Sequence, residues 1–388
     1  MKAFVIAGEP SGDALGGALM EGLRSLRPEI RFAGVGGPLM ADQGLTSLFA
    51  MDELSIMGLA EVLPKYRHLK RRIRETAQAI VAAAPDVVIT IDSPDFCLRV
   101  LALARAENPG LKTVHYVAPS VWAWRPKRAV KMARVVDHVL ALLPFEPPYM
   151  QAAGMSCDFV GHPVTTQPVA TLSEAAMFRA ANGIAPDAPL ILVLPGSRRG
   201  EVERLGPVFG AALGPVLAAA PDARVVVPSV AARARQVRAL CADWPGDPVI
   251  LDAAQVSASD KRAAFRAADV ALAVSGTVSL ELAASGTPMV IAMRLNRLSE
   301  VVISRLMRVD TVTLVNLVTE TRAVPEFLGT QCDPEAIARV VSSLMQDGPE
   351  RRAQIEAMDL TMQRLGRGGE APGLRAAKSV LSVLEGAG

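Results

Sequence analysis

Short apolar runs recur along this chain, each followed by a turn and then by a longer segment with apolar positions at three- and four-residue spacing. In the first half the runs are Ala3–Ala7, Arg31–Val35, Val87–Ile91, Thr113–Val117 and Val136–Leu142. Their length and β-branched content predict buried strands. Helical periodicity fills the gaps at Ala14–Ser25, Lys70–Ala83, Asp95–Arg105 and Arg128–Arg134. After a polar, turn-rich stretch, Pro163–Ser173, the pattern restarts with Leu190–Leu194, Arg224–Val227, Val249–Leu251, Val270–Val274 and Met289–Met293. Strand–helix alternation predicts parallel sheets with right-handed crossovers. The restart predicts an α/β protein of two Rossmann-like, doubly wound domains, residues 1–165 and 166–345, facing a cleft. A helical segment, 346–388, is expected to pack back across them.

Ligands of such sheets sit beyond the carboxyl ends of the strands, and the chemistry-bearing loops of this sequence fall there. Gly8-Glu9-Pro10-Ser11-Gly12-Asp13 follows the first strand, and Asp92-Ser93-Pro94-Asp95 follows the third. Glu9 and Asp92 are the two candidates for a general base, and the sequence leaves open which one serves; Ser11 is a candidate acceptor contact. Asp92, closing an apolar strand, gains a raised pKa from partial desolvation. An Asx-turn cap for the helix opening at Pro94 is the plainer reading, and Asp95 fits that role better. Ser11 or Asp13 as a helix cap is the plainer reading of the first loop.

The second half supplies cations and helix N-termini. Arg198 and Arg199 follow the strand Leu190–Leu194 at a helix start, where a guanidinium fork and free N–H groups suit a diphosphate. Ser275-Gly276-Thr277 breaks Val270–Val274, with Thr277 as N-cap and Gly286 as terminator of the next helix. A phosphate fits such a turn, although an ordinary strand–loop–helix unit fits it too. Glu281, one turn in, is placed to accept hydrogen bonds from vicinal hydroxyls, and Arg294 ends the next strand as a second candidate cation.

A different pattern marks Ile56–Arg74. Leu59, Val62, Leu63, Tyr66, Leu69 and Ile73 share one helical face, while Lys65, Arg67, Lys70, Arg71, Arg72 and Arg74 crowd the rest. This predicts an interfacial helix on an anionic membrane, or a surface helix packed on the sheet by the same stripe. A second basic cluster, Arg125, Lys127, Arg128, Lys131 and Arg134, flanks Trp122 and Trp124, which also suits an interface.

Composition narrows the classes. A length of 388 residues fits two domains. Aromatics at 4% and a net charge of +2 leave too few stacking platforms to favour nucleic acid. Four scattered cysteines, without a C-x-x-C pair, fit a reducing cytosol. Scattered histidines and the absence of a D-x-D triplet predict no metal, and His115 and His138, inside strand-like runs, read as core residues. The Gly8–Gly17 loop is neither a Walker loop nor G-x-G-x-x-G, which disfavours a nucleoside triphosphatase or a nicotinamide enzyme. No uncharged apolar window is long enough to span a bilayer. A mean hydropathy of +0.29 is nevertheless compatible with surface apolar area meant for lipid.

Together the loops Gly8–Asp13, Asp92–Phe96, His115–Arg125 (H-Y-V-A-P-S-V-W-A-W-R), Leu143–Glu146, Gly161–Pro163, Leu194–Arg198 and Ser275–Thr277 closely resemble lipid-A-disaccharide synthases. The resemblance runs from about residue 3 to 330. It implies a GT-B-type, inverting glycosyltransferase of family 19, in lipid A and lipopolysaccharide biosynthesis, working without a cofactor. Its implied location is cytoplasmic, peripheral on the inner face of the cytoplasmic membrane. The implied reaction joins UDP-2,3-diacylglucosamine to 2,3-diacylglucosamine 1-phosphate through a β-1,6 link and releases UDP. The positions matching the family's functional residues are Asp92, Arg198, Glu281 and Asn316. The last lies in Val312–Leu317, a string that chemistry alone does not single out. A homodimer with exchanged C-terminal segments is a further state the resemblance allows. Cys97 stands where the family usually has asparagine, and Met293 where an aromatic is common. Competing readings are another GT-B UDP-sugar enzyme, an epimerase or a transferase with a soluble acceptor, and a non-catalytic peripheral lipid-binding protein.

Overall fold

The structure, a computed structural model, describes residues 1–54, 59–295 and 307–386, with only the backbone of 59–65. The chain forms two compact units, Met1–Thr166 with Leu365–Gly388 and Gln167–Arg364.

Unit 1 runs β1 (Lys2–Ala7), α1 (Pro10–Leu26), β2 (Arg31–Val35), α2 (Pro38–Asp42), α3 (Leu59–Ala83), β3 (Val87–Ile91), α4 (Pro94–Glu107), β4 (Thr113–Tyr116), α5 (Lys127–Met132), β5 (His138–Ala141), α6 (Pro147–Gln151) and β6 (Ser156–Phe159). All six strands are parallel, in the order β2-β1-β3-β4-β5-β6. The strand order reverses between β1 and β3, whose last paired residues are Ala7 and Ile91. Strands β1, β3, β4 and β5 are almost wholly buried, because helices cover both sheet faces. Edge strand β6 is absent from the apolar pattern, since its sequence, Ser-Cys-Asp-Phe, alternates exposure in place of an apolar run.

Unit 2 repeats the plan: α7 (Leu172–Ala181), β7 (Leu190–Leu194), α8 (Arg199–Ala219), β8 (Arg224–Ser229), α9 (Ala234–Cys241), β9 (Val249–Asp252), α10 (Ala258–Ala267), β10 (Val270–Val274), α11 (Val278–Ser285), β11 (Met289–Met293), α12 (Leu314–Thr319), β12 (Glu326–Leu328), α13 (Pro334–Met345) and α14 (Pro349–Arg364). Its parallel order is β12-β11-β10-β7-β8-β9, so the reversal lies between β7 and β10. Helix α8 has the length and hydropathy of a membrane span. Its apolar face, including Val202, Leu205 and Phe209, is instead part of this unit's core.

The return to unit 1 begins at Leu365, not at residue 346 as the pattern predicted. Helix α14 stays with unit 2 because Gln354, Met358 and Met362 bury against its own neighbours, α11 and α12. The Gln354 side-chain oxygen accepts a hydrogen bond from the Met289 N–H, which ties α14 to the start of β11. The helix that returns is α15 (Pro372–Glu385). It packs closely on α1: a Cβ on Gly22 would sit 2.8 Å from the Gly373 carbonyl oxygen, and one on Gly373 2.5 Å from that of Ala18. Buried His138 of β5 fixes the same helix, bonding the Ser379 hydroxyl at 2.8 Å and Ser156 at 2.8 Å.

Candidate active site

Two clusters of charged side chains form at the strand-order reversals, where two neighbouring strand ends open a crevice. In unit 1 this is the β1/β3 end. The Ser11 hydroxyl donates to Glu9 Oε1 at 2.7 Å, and the Glu9 and Asp92 carboxyls are hydrogen-bonded to each other. Burial first, and the Glu9 carboxyl second, push the pKa of Asp92 up to about 6. Asp92 and Ser93 both adopt the left-handed region, at φ 47° and 43°. Two consecutive non-glycine residues in that conformation are strained. The turn is held in part by the Asp92 N–H, which donates to the Tyr116 carbonyl at 3.0 Å.

The plain capping reading fails for Asp92 and holds for Asp13. Ser93, not Asp92 or Asp95, occupies the N-cap of α4, and it makes no side-chain cap. Asp13 does bind a helix start, but that of α2. Its carboxylate accepts from the N–H groups of Gly37 at 2.8 Å, Leu39 at 3.0 Å and Met40 at 3.0 Å. Cys97 is fully buried, and its thiol pKa is driven up by burial and by the nearby Asp92 charge.

The loop after β4 carries two of the three tryptophans, Trp122 and Trp124. Trp122 meets Phe145 edge to face with centroids 5.2 Å apart, and its Nε1–H donates to Glu146 Oε1 at 3.3 Å. Glu146 also accepts from the Leu143 N–H at 3.0 Å, and burial raises its pKa to about 7. Arg125 stacks on Trp124 with its guanidinium carbon 4.1 Å from the ring centroid. Val130, on α5 among these basic residues, is exposed.

On α3, Tyr66 is half exposed and Ile73 is buried. Leu69 is partly buried, whereas the side chain of Leu63 lies outside the described residues. Arg72 is not part of a free basic face. It forms a forked pair with Glu53 at 2.8 Å through both Nε and Nη2, reaches Glu75 at 2.7 Å, and lies over the Phe49 ring. Arg67, Lys70, Arg71 and Arg74 remain at least partly exposed.

In unit 2 the β7/β10 reversal opens into a cavity of about 680 Å³, lined among others by Gly196, Arg198, Lys261, Ser275, Gly276, Thr277 and Glu281. Arg198 pairs with Glu201 at 2.8 Å, and Glu281 with Lys261 at 2.7 Å. Gly196 has φ 115°, which a side chain would strain. Thr277 takes the N-cap position of α11 without a side-chain cap bond, so its hydroxyl is not spent on the helix, while Gly286 ends α11 at φ 70°.

Two expected donor residues lie elsewhere. Arg294 does not line the cavity; its carbonyl accepts from Arg204 Nε at 3.0 Å. Asn316 is fully buried, its amide donating to Thr311 Oγ1 and the Val324 carbonyl and accepting from the Val324 N–H. It therefore clamps the 311–324 loop, aided by Glu326, which accepts from the N–H groups of Val312 and Thr313. That loop meets the cavity through the Val312 carbonyl, which accepts from Ser275 Oγ at 3.4 Å. Glu201 closes the strand-end loop that holds Arg198 but had no role assigned, and Lys261 and the Val230 and Ser257 loops went unread in the sequence. The strand-end rule, applied after β8 and β9 as well, would have found the last two.

Two parallel doubly wound units, one with a cavity at its reversal that carries charged side chains, define the GT-B class of nucleotide-sugar enzymes. Solved structures agree on the fold. The UDP-GlcNAc 2-epimerase of Neisseria meningitidis, solved with UDP-GlcNAc, matches with a TM-score of 0.66 at 12% identity, each chain covered fully. MurG of Acinetobacter baumannii matches at 0.55 and 15% identity, covering 99% of each chain. The sequence profile of lipid-A-disaccharide synthetase matches residues 3–371. The lipid-A-disaccharide synthase of Ruegeria pomeroyi is 63% identical, covering 100% of this chain and 96% of the relative. That of Rhodospirillum centenum is 47% identical over 98% and 94%. The chain belongs to the lipid-A-disaccharide synthase family, and it is a glycosyltransferase that forms the lipid A disaccharide.

Proposed function

We propose that the donor is UDP-2,3-diacylglucosamine, the acceptor is 2,3-diacylglucosamine 1-phosphate, and Asp92 is the base. The acceptor's 6-hydroxyl gives its proton to Asp92 and attacks the anomeric carbon from the face opposite UDP. The result is an inverted, β-1,6-linked disaccharide 1-phosphate and free UDP. The observation that carries this reading is the Glu9–Asp92 pair, whose burial lifts Asp92 to about 6, close to the working range of a general base. Glu9 keeps Asp92 poised, and Ser11, donating to Glu9, orients that carboxylate.

The unit 2 cavity is assigned to the donor. Arg198 and the N–H groups at the start of α8 hold the diphosphate, and the α11 N-terminus with Ser275, Gly276 and Thr277 adds a favourable dipole. Glu281 accepts the ribose hydroxyls. Fixed cations and dipoles stabilise the charge that develops on the leaving diphosphate. Asn316 supports this site through the loop that it clamps.

The lipid substrates bring the enzyme to the inner membrane surface as a peripheral protein. In this reading α3 meets the surface with Leu63, Tyr66 and Leu69, and the Trp122, Trp124 and Arg125 loop meets the acceptor or the headgroup layer. A two-substrate assay tests the chemistry: UDP release needs both diacylated substrates, and deacylated acceptor loses most activity. An epimerase would convert donor alone, and undiminished turnover of a deacylated acceptor would refute the lipid specificity.

A further inference from the structure

Within the donor cavity an anion already occupies the cradle assigned to the diphosphate, and it belongs to the protein. Glu201, in the first turn of α8, accepts from the N–H groups of Ser197 at 3.2 Å and Arg198 at 3.1 Å with one carboxylate oxygen. Its other oxygen accepts from Arg198 Nη1 at 2.8 Å. The pairing is lopsided in exposure: the Arg198 side chain is 71% exposed and that of Glu201 only 19%. An exposed guanidinium thus lies against a seated carboxylate. Gly196 makes room for it, since a Cβ there would lie 2.6 Å from the Glu201 Cβ and 2.8 Å from its carboxylate. Both backbone contacts are longer than the roughly 2.7–2.9 Å of strong charge-assisted bonds. Glu281, the other charged group assigned to the donor, is likewise neutralised internally, by Lys261.

We propose that the Glu201 carboxylate is a built-in competitor of the donor diphosphate, seated in the cradle of the free enzyme and displaced when the nucleotide binds. The proposal rests on the assignment of the diphosphate to Arg198. A phosphoryl group takes the same two backbone N–H groups, each of which has one proton to give, and draws on the same guanidinium. Donor binding is then an exchange of anions, and the returning carboxylate helps to expel UDP after transfer. A helix cap with no further part in binding is the alternative.

Glu201→Gln separates the two, because the amide keeps the shape and a hydrogen-bond acceptor but loses the charge. Binding of UDP and of uridine is measured calorimetrically on the full chain. The expected result is UDP bound about five- to tenfold tighter with uridine unchanged. UDP binding unchanged or weakened, or both ligands shifted alike, overturns the proposal. Arg198→Ala is the control for the underlying assignment: if it leaves UDP binding intact, the diphosphate site itself is misplaced, whichever way Glu201→Gln behaves. If Glu201→Gln does not fold, a crystal structure of the unaltered protein with UDP decides. Glu201 is expected off the Ser197 and Arg198 amides, and finding it still seated there overturns the proposal.

Discussion

Replacing Asp92 by asparagine should make the protein both much slower and more stable, and the stability gain should depend on pH. The pKa of Asp92 is raised from 3.8 to about 6 by the fold, burial being the larger cause. Between those values the unfolded chain is ionised while the folded one holds its proton. Folded stability is therefore lost as pH climbs from about 4 to 6 and stays lost above. Two pKa units correspond to about 3 kcal/mol. Partial access of solvent to this half-buried group screens the interaction and leaves about 1–2 kcal/mol. The asparagine side chain carries no charge to desolvate. It also tolerates φ 47° better than most residues, so the backbone imposes no offsetting penalty. A melting series from pH 4 to 8 should show the variant's advantage growing from near zero to about 2–8 °C, for a unit of this size. Over the same variant, turnover should fall about 10²–10⁴-fold. In the unaltered enzyme, kcat/KM should drop about tenfold between pH 8 and 5 as a base with a pKa near 6 is protonated. A pH-independent melting difference would refute burial as the cause of the shift, and near-full turnover with correct folding would remove Asp92 from the base's role.

Other outcomes follow from the same geometry. Arg198→Ala should raise the donor KM and lower kcat without a change in melting temperature, since its side chain is largely exposed and its pair with Glu201 lies at the surface; a stability loss instead would make it structural. Asn316→Ala strips the buried Val324 N–H and carbonyl of their partners and should cost unit 2 about 1–3 kcal/mol in denaturant unfolding, with UDP affinity falling through the loosened 311–324 loop. Leu63→Glu with Leu69→Glu should abolish binding to anionic liposomes; unchanged binding and lipid turnover would make α3 structural. Glu146→Gln keeps the Trp122 and Leu143 contacts in outline but gives the Leu143 N–H a weaker acceptor to donate to, and trypsin sensitivity of the 117–126 loop should rise.

Much of the fold was readable because buried parallel strands are nearly continuous apolar runs. Val87–Ile91, Leu190–Leu194 and Val270–Val274 begin and end where the pattern puts them. The edge strands β6 and β12 escaped because one or both faces are wet, and Glu326 has a structural task that no periodicity reports. At the candidate site, the strand-end rule pointed to Glu9 and Asp92, which meet in unit 1, and to Arg198 and Glu281, which line one cavity in unit 2, since topology alone brings the loops of each unit together. It could not see that Asn316 is spent inside the protein, because a buried amide and a ligand-binding amide are the same letter. Nor could it separate Arg72, locked on Glu53 and Phe49, from its exposed neighbours on α3. Those distinctions depend on three-dimensional partners drawn from distant parts of the chain.

The most direct test of the central claim is mass spectrometry and NMR of the product made from defined UDP-diacylglucosamine and diacylglucosamine 1-phosphate. The account predicts one tetraacyl disaccharide 1-phosphate per UDP released, with an axial–axial anomeric coupling that marks the β linkage to O6. A product with retained α configuration, or UDP-sugar altered only at C2 with no disaccharide formed, would contradict it.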